Sequence, residues 1–511
     1  MKSVNRKTFF RFTLLFILPE STVGAMAAAT FVLALIFLSL SILLSPLGLL
    51  LLLGNEFIRI FINLILRYKY SGNIQLVSDG NDAVYRPNRS MVISLIRIEN
   101  PIAPEESMEK FTKDVLLLKN PKTREHQSTT YAKLEQILID KFGYRCWKKD
   151  ENFNIKNHCR TVVSNSVVYK TDLLQLIRKL ADDMEEDKPQ WEIVLIPNYQ
   201  EAGEVVTSSL IVFRFHHAYM DALSFTMMIE KLTSNYNYYI DPCKTLTKKT
   251  FKEQVVNFIK FLYFGPLLFI LLTTNRLRSF WPKIPQKCSK TLRNYTWSKP
   301  IKLDQIREIR KSLKNASIPV IIDNAFISST MQVLPRHRYP ETWSLGELSA
   351  LLPYKNSGPQ NRFSIFSYEI NVTQENELER IQTTANEAAK EMTLPWILIG
   401  FLGLKIFGRF PKVVAQLPLF GTSNTLIMSY FPCSKTKFKL FQSVNVLDIW
   451  GFPPHGNNTG IFLCCNMYCN EFKVLASSDS DWLEEKELKE IVNRIPEIIS
   501  KWVYQLNKKN D

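Results

Sequence analysis

The sequence predicts an α/β protein built from two halves with mixed sheets and preceded by a membrane helix. Three observations predict it. The chain has 511 residues, more than one hydrophobic core normally organises. Strand-like apolar runs alternate with helical periods on both sides of a central apolar segment. No charged residue lies between Ser21 and Asn55.

That uncharged stretch would measure about 50 Å as a helix, against a hydrocarbon layer of about 30 Å. One straight span cannot use all of it. The expected break is Ser45-Pro46-Leu47-Gly48, since Pro and Gly both interrupt helices. Residues 23–44 then form a transmembrane helix. Glu56, Arg59, Asn63 and Arg67 recur at helical spacing among apolar residues, so residues 47–67 form an amphipathic helix suited to the bilayer interface. The early basic residues suit a signal peptide, but the apolar run is too long for one. Residues 1–70 are therefore expected to be an anchor.

From residue 71 to 245 the chain reads as globular. Met91–Asn100 has the pattern of a strand. Ser107–Leu118, Thr130–Lys141 and Thr171–Glu185 have those of helices. Trp191–Tyr199 and Ser208–His217 are strand candidates joined by a hairpin-like turn, and Asp221–Asn235 reads as a helix. A second apolar run, Phe261–Thr274, is too short to span a bilayer. Flanking lysines and arginines favour a membrane-dipping helix there over a buried core helix, inside a linker of residues 246–300. Residues 301–511 form the second half. Its expected helices are Asp304–Leu313, Val320–Val333, Gln374–Met392 and Glu484–Leu506, and its expected strands Asn361–Ile370, Lys437–Trp450 and Gly460–Leu475.

Composition narrows the function classes. The net charge is +16, which suits anionic partners such as phospholipid headgroups or coenzyme A. The basic residues are scattered and no nucleic-acid motif is present, so nucleic acid ranks low. Eight cysteines are sparse for this length. They read as ordinary buried thiols rather than a disulfide framework or a metal site.

The chain has only six histidines, and two of them are adjacent in "FRFHHAYMDALS", Phe213–Ser224. They fall where a buried strand ends and a helix is about to start. A neutral imidazole is a ready general base near neutral pH. An aspartate four residues on, Asp221, could fix the turn or orient a ring. Packing alone is the competing explanation for the pair.

"HHAYMDA" resembles the HHxxxDG motif of coenzyme A-dependent acyltransferases. The surrounding text is similar to the wax ester synthase/diacylglycerol acyltransferase family. "PQWE" (Pro189–Glu192) resembles the family's "PLWE", and "NFNIKNH", ending at His158, its "FDxxxH". "QNRFS" (Gln360–Ser364) resembles "GNxFS", and "TSN" (Thr422–Asn424) the start of "SNVPGP". The five segments come in family order from about Arg145 to the C-terminal helix. There are departures. Ala222 replaces the motif glycine, "SNTLIM" lacks the Pro-Gly turn, and "SIPVI" (Ser317–Ile321) lacks an Asn-Asp pair.

The resemblance implies two chloramphenicol-acetyltransferase-like halves with a tunnel between them. It implies a membrane-bound O-acyltransferase that moves a fatty acyl group from acyl-CoA to a long-chain alcohol or diacylglycerol. A short-chain alcohol acyltransferase and an inactive membrane protein on the same scaffold are the alternatives. His217 would be the general base, supported by His216, with Asp221 organising the corner. Ser423, Asn424 and Asn361 would contact substrate. Acyl-CoA would be a cosubstrate, with no cofactor and no metal. The expected location is the endoplasmic reticulum membrane, with the catalytic domain in the cytosol.

Overall fold

The computed structural model describes residues 23–85, 90–119, 129–162, 166–182, 184–185, 187–201, 203–238, 293–351, 358–392, 394–415, 424–454 and 460–510. The expected dipping helix at Phe261–Thr274 lies outside them. The chain divides into two compact units. One comprises residues 1–65 and 249–271, the other residues 66–248 and 272–511.

In the smaller unit the described element is a single helix, Val23–Tyr70, which continues into the first residues of the larger unit. The break expected at Ser45–Gly48 is absent, and Pro46 lies inside the helix. A proline removes one backbone hydrogen bond, which a long apolar helix can absorb as a local adjustment. The stretch Pro46–Tyr70 has a mean hydropathy of 1.9 over its most apolar window and is long enough to cross a membrane. Leu50, Phe57, Ile60, Phe61 and Leu64 are exposed along it.

Among its described residues the larger unit holds two seven-stranded sheets and a three-stranded one. The first large sheet runs Cys159–Thr161, Trp191–Tyr199, Ser208–His216, Met91–Ile98, Val444–Phe452, Lys439–Leu440, Thr233–Ser234. The second runs Ile301–Lys302, Glu471–Asp479, Ile461–Tyr468, Leu426–Pro432, Thr342–Ala350, Phe363–Asn371, with Arg293–Trp297 also paired to Glu471–Asp479. Both sheets mix parallel and antiparallel pairs. Each carries its own buried apolar cluster. Strand Val444–Phe452 comes from the second half of the sequence yet pairs antiparallel with Met91–Ile98. The two halves thus share a sheet.

Several expected elements differ. Thr130–Lys141 is a short 3-10 turn, Ala132–Glu135, followed by a strand, Gln136–Lys141. That strand pairs with Tyr144–Lys149 across Phe142-Gly143, whose φ values of 51° and 79° make the tight hairpin turn that matches strand twist. The same device splits Gly460–Leu475. Cys469 and Asn470, at φ 49° and 67°, turn Ile461–Tyr468 back onto Glu471–Asp479. It also splits Lys437–Trp450 at Phe441-Gln442. Ser107–Leu118 is an α-helix, Pro104–Phe111, that loosens into a π turn over Thr112–Leu116. The remaining expected helices and strands form within a few residues of their expected bounds.

Candidate active site

The histidine pair ends strand Ser208–His216, which is buried along its whole length. His216 pairs with Met91 in the neighbouring strand, and its N–H donates to Gln190 O at 2.9 Å. His217 is the first residue past the strand, and its N–H donates to Ser90 O at 2.8 Å. Two backbone bonds to two different segments therefore fix the corner.

The imidazoles have different surroundings. His216 is fully buried, and its Nδ1 accepts the N–H of Ala218 at 3.2 Å. That ring braces the turn. His217 is half-buried, stacked on Tyr85 with ring centroids 4.4 Å apart, and flanked by Phe363. Its Nδ1 lies 2.9 Å from Asn361 Oδ1. Burial pulls its pKa below the ordinary histidine value, against the opposing pull of Asp221 and Asn361.

Asn361 settles which nitrogen of His217 carries the proton. Its Nδ2 donates to Asp82 Oδ1 at 2.8 Å and to the main-chain oxygen of His217 at 2.9 Å. Reversing the amide would press its oxygen against a carboxylate and a carbonyl. Oδ1 is therefore the atom that faces the ring, and Nδ1 donates to it. Nε2 keeps its lone pair, as a general base requires.

Asp221 sits on the other side of the corner as the N-cap of helix Ala222–Lys231. Its Oδ1 accepts from Ser224 N at 2.9 Å and its Oδ2 from the backbone N of Arg362 at 2.8 Å. Asp221 N and Ser224 Oγ both donate to Gln360 O, at 3.2 and 2.8 Å. The aspartate thus ties the HHxxxD turn to the "QNRFS" segment and sets Asn361 beside His217. Ala222 opens the helix without a positive φ, so the glycine of the motif is not needed here.

The other matched segments divide in role. His158 is buried, stacked on Trp191 at 4.4 Å, and its Nδ1 lies 2.7 Å from Trp191 O. "PQWE" and "NFNIKNH" therefore form one aromatic brace beneath the histidine strand. Asn424 is buried beside Gly346, and its Oδ1 accepts from Ser344 Oγ at 2.9 Å, within the second sheet. These bonds join it to strand Thr342–Ala350, not to His217. Ser423 lies outside the described residues. Pro319, where "SIPVI" lacks the Asn-Asp pair, sits in the first turn of helix Ile318–Val333, capped by Ser317. A groove of about 1100 Å³ lies elsewhere, lined by Ser328, Arg380, Lys501 and Tyr504 among others.

Sequence reasoning missed Asp82 and Tyr85. They lie in a short turn before strand Met91–Ile98, with no motif to mark them. Gly80 was the available signal. A Cβ there would stand 1.9 Å from Lys405 O, so the turn is wedged against helix Leu394–Phe407.

Residues 83–240 match the family model described as the wax ester synthase/diacylglycerol acyltransferase catalytic domain. The match contains both histidines, Asp221 and the "PQWE" brace. That segment is similar to the wax ester synthase/diacylglycerol acyltransferase family's catalytic domain. The histidine corner therefore lies in the part of the chain that is similar to an acyltransferase catalytic domain. Among solved structures, the trichothecene 15-O-acetyltransferase of Fusarium sporotrichioides is similar at 10% identity and TM-score 0.52, covering 83% of this chain and 96% of that one. A wax ester synthase/diacylglycerol acyltransferase from Marinobacter aquaeolei VT8 is similar at 12% identity and TM-score 0.49, covering 83% and 96%. An NRPS cyclization-docking bidomain from Sorangium cellulosum is similar at 8% identity and TM-score 0.50, covering 85% and 84%. Among curated proteins, none matches. The fold of this chain is thus the two-half fold of those acyltransferase and condensation structures.

Proposed function

We propose that this protein transfers a fatty acyl group from acyl-CoA to a long-chain alcohol, to diacylglycerol, or to both, with His217 as general base. The observation that carries the reading is the Asn361–His217 hydrogen bond. It spends Nδ1 and leaves Nε2 as the proton acceptor. In the step, Nε2 takes the hydroxyl proton as the acceptor oxygen attacks the thioester carbonyl. The tetrahedral oxyanion collapses, the C–S bond breaks, and the imidazolium returns the proton to the coenzyme A thiolate. The ester and free coenzyme A leave with no covalent enzyme intermediate. His216 supports the corner, and Asp221 holds the two halves of the site together. Ser423 and Asn424 are proposed donors to substrate oxygens.

The lipid acceptor is supported by the anchor. A 25-residue stretch long and apolar enough to span a bilayer suits an enzyme whose acceptors and products partition into membranes. Acyl-CoA is anionic and cytosolic, and a +16 chain suits its capture. We therefore place the protein in the endoplasmic reticulum membrane with its catalytic domain in the cytosol. Asn294, which heads the N-glycosylation tripeptide Asn294-Tyr295-Thr296, is buried and its Nδ2 donates to Leu483 O at 2.8 Å, in keeping with a chain that stays unglycosylated.

The test is a product profile. Membranes containing the protein are given labelled palmitoyl-CoA with hexadecanol, dioleoylglycerol or ethanol. Wax ester or triacylglycerol supports the reading. Esterification of ethanol alone supports the short-chain alternative, and no ester from any acceptor supports the inactive scaffold.

A further inference from the structure

Behind Asn361 the hydrogen bonds continue. Asn361 Nδ2 donates to Asp82 Oδ1 at 2.8 Å. The other oxygen of Asp82 receives Lys133 Nζ at 2.7 Å, and the same ammonium donates to Tyr219 O at 3.0 Å. Asp82 is buried, and the side chain of Lys133 is almost so. The line His217–Asn361–Asp82–Lys133 thus draws on four separate stretches of sequence.

We infer that Asp82 and Lys133 are positioning residues that act on the base through the Asn361 amide. Asp82 holds the amide in the one orientation that keeps the proton on Nδ1. Its negative charge also favours the imidazolium that forms as the acceptor hydroxyl gives up its proton. Burial leaves the pKa of Asp82 raised overall, and Lys133 is the strongest pull the other way, toward the ionised form. It also limits how basic His217 becomes, since its charge opposes the imidazolium. A buried ion pair is a costly way to gain stability. Set one amide away from a base, it adjusts the charge balance at the ring. Asp82 lies one residue before the segment that matches the family model, so the family match does not mark it.

The inference rests on His217 being the base. The charged and titratable groups around that ring come from every neighbouring element. His216 and Asp221 lie on its own corner. Asp82 and Tyr85 lie on the preceding turn, with Asp79 beside Asp82. Lys133 comes from the 3-10 turn, Arg362 adjoins Asn361, and Arg145 donates to Tyr85 O from behind. Among the described residues, the Asp82–Lys133 pair is the charged pair that reaches the ring through Asn361, and its two members pull the base in opposite directions.

The test is the pH dependence of kcat/KM for ester formation from palmitoyl-CoA in detergent-solubilised full-length protein. The best acceptor from the product profile is used, and folding is checked by thermal unfolding. The acidic limb reports protonation of the base. Asp82→Asn removes the anion, so the limb moves to lower pH by roughly 0.5–1 unit and kcat falls while KM for palmitoyl-CoA holds. Lys133→Met leaves Asp82 buried without its cation, so Asp82 takes up a proton and the limb moves to lower pH as well. The double variant shifts it no further than Asp82→Asn. If Asp82→Asn does not fold, the downward shift in Lys133→Met carries the test. Limbs unmoved in folded variants overturn the inference. His217→Ala separates this from failure of the base itself. An inactive His217→Ala beside unmoved limbs rejects the relay alone. An active His217→Ala rejects the base and the relay together.

Discussion

Asn361 Oδ1 stands 2.9 Å from His217 Nδ1, across a join between segments 144 residues apart. The amide comes from just before a strand of the second sheet, and the imidazole from the end of a strand of the first. Neither half of the sequence holds a base of defined tautomer by itself. Asp221 makes the join, because one of its oxygens caps its own helix and the other binds the backbone of Arg362.

Asn361→Ala removes the acceptor that holds the proton on Nδ1. The ring can then take the wrong tautomer, and kcat is expected to fall roughly 10²–10⁴-fold. KM for acyl-CoA should change little. Steady-state kinetics on the folded variant measures both.

Asp221→Ala leaves the base in place but removes the helix cap and the tie to Arg362. Loss of the cap alone costs about 0.5–2 kcal/mol. Thermal unfolding should shift down, and activity should fall through misplacement of Asn361. Asp221→Asn, which keeps one acceptor oxygen for the cap, should lose less stability.

The pH profile follows from burial. His217 titrates below the ordinary histidine value because the charged ring is poorly solvated. A base works only when deprotonated, so kcat/KM should hold steady through neutral pH and fall only below about 6.5. A limb well above that value would show a different base.

Stability should depend on pH through a buried acid pair in the second half. Asp323, which accepts Tyr368 Oη at 2.6 Å, and Glu347 are both pushed up to about 8, chiefly by burial. The folded state keeps protons that the unfolded chain releases near pH 4. The stability this gives is full below that range and is lost as pH rises through about 8. Denaturant midpoints should therefore fall from pH 5 to 8 and then level off. Asp323→Asn with Glu347→Gln should flatten the curve.

Gly80→Ala tests the wedge that sets Asp82. The new Cβ would meet Lys405 O at 1.9 Å, so the turn must shift. Activity should fall with a modest change in melting temperature. A fully active Gly80→Ala protein would show that the turn need not be tight.

Much of the site was legible before the structure. The strand–HH–helix order and the segments holding His158, Trp191 and Asn361 are carried by short contiguous patterns, but Asn361, expected to contact substrate, instead spends its amide on His217 and Asp82. Asp82 and Lys133 were not legible. A single acid or lysine in a short turn leaves no period or motif, and their partners lie 279 and 51 residues away along the chain. Among the elements, amphipathic helices such as Lys170–Leu180 were readable from their apolar faces. The hairpins at Phe142-Gly143 and Cys469-Asn470 were not. Their turns are two residues long, and only Gly143 and Asn470 hint at positive φ. The helix through Pro46 shows the opposite limit. A proline signals a break when hydrogen bonds can be remade with water, and an apolar helix offers no such exchange.

The most direct measurement is single-turnover acyl transfer by His217→Ala in the whole chain reconstituted into lipid vesicles, beside the unaltered chain, with palmitoyl-CoA and the preferred acceptor. Loss of at least about 10²-fold in the chemical step, with unchanged melting temperature and membrane retention, is the expected result. Ester formation at an undiminished rate in that variant would remove His217 from the chemistry and with it the assignment of the site.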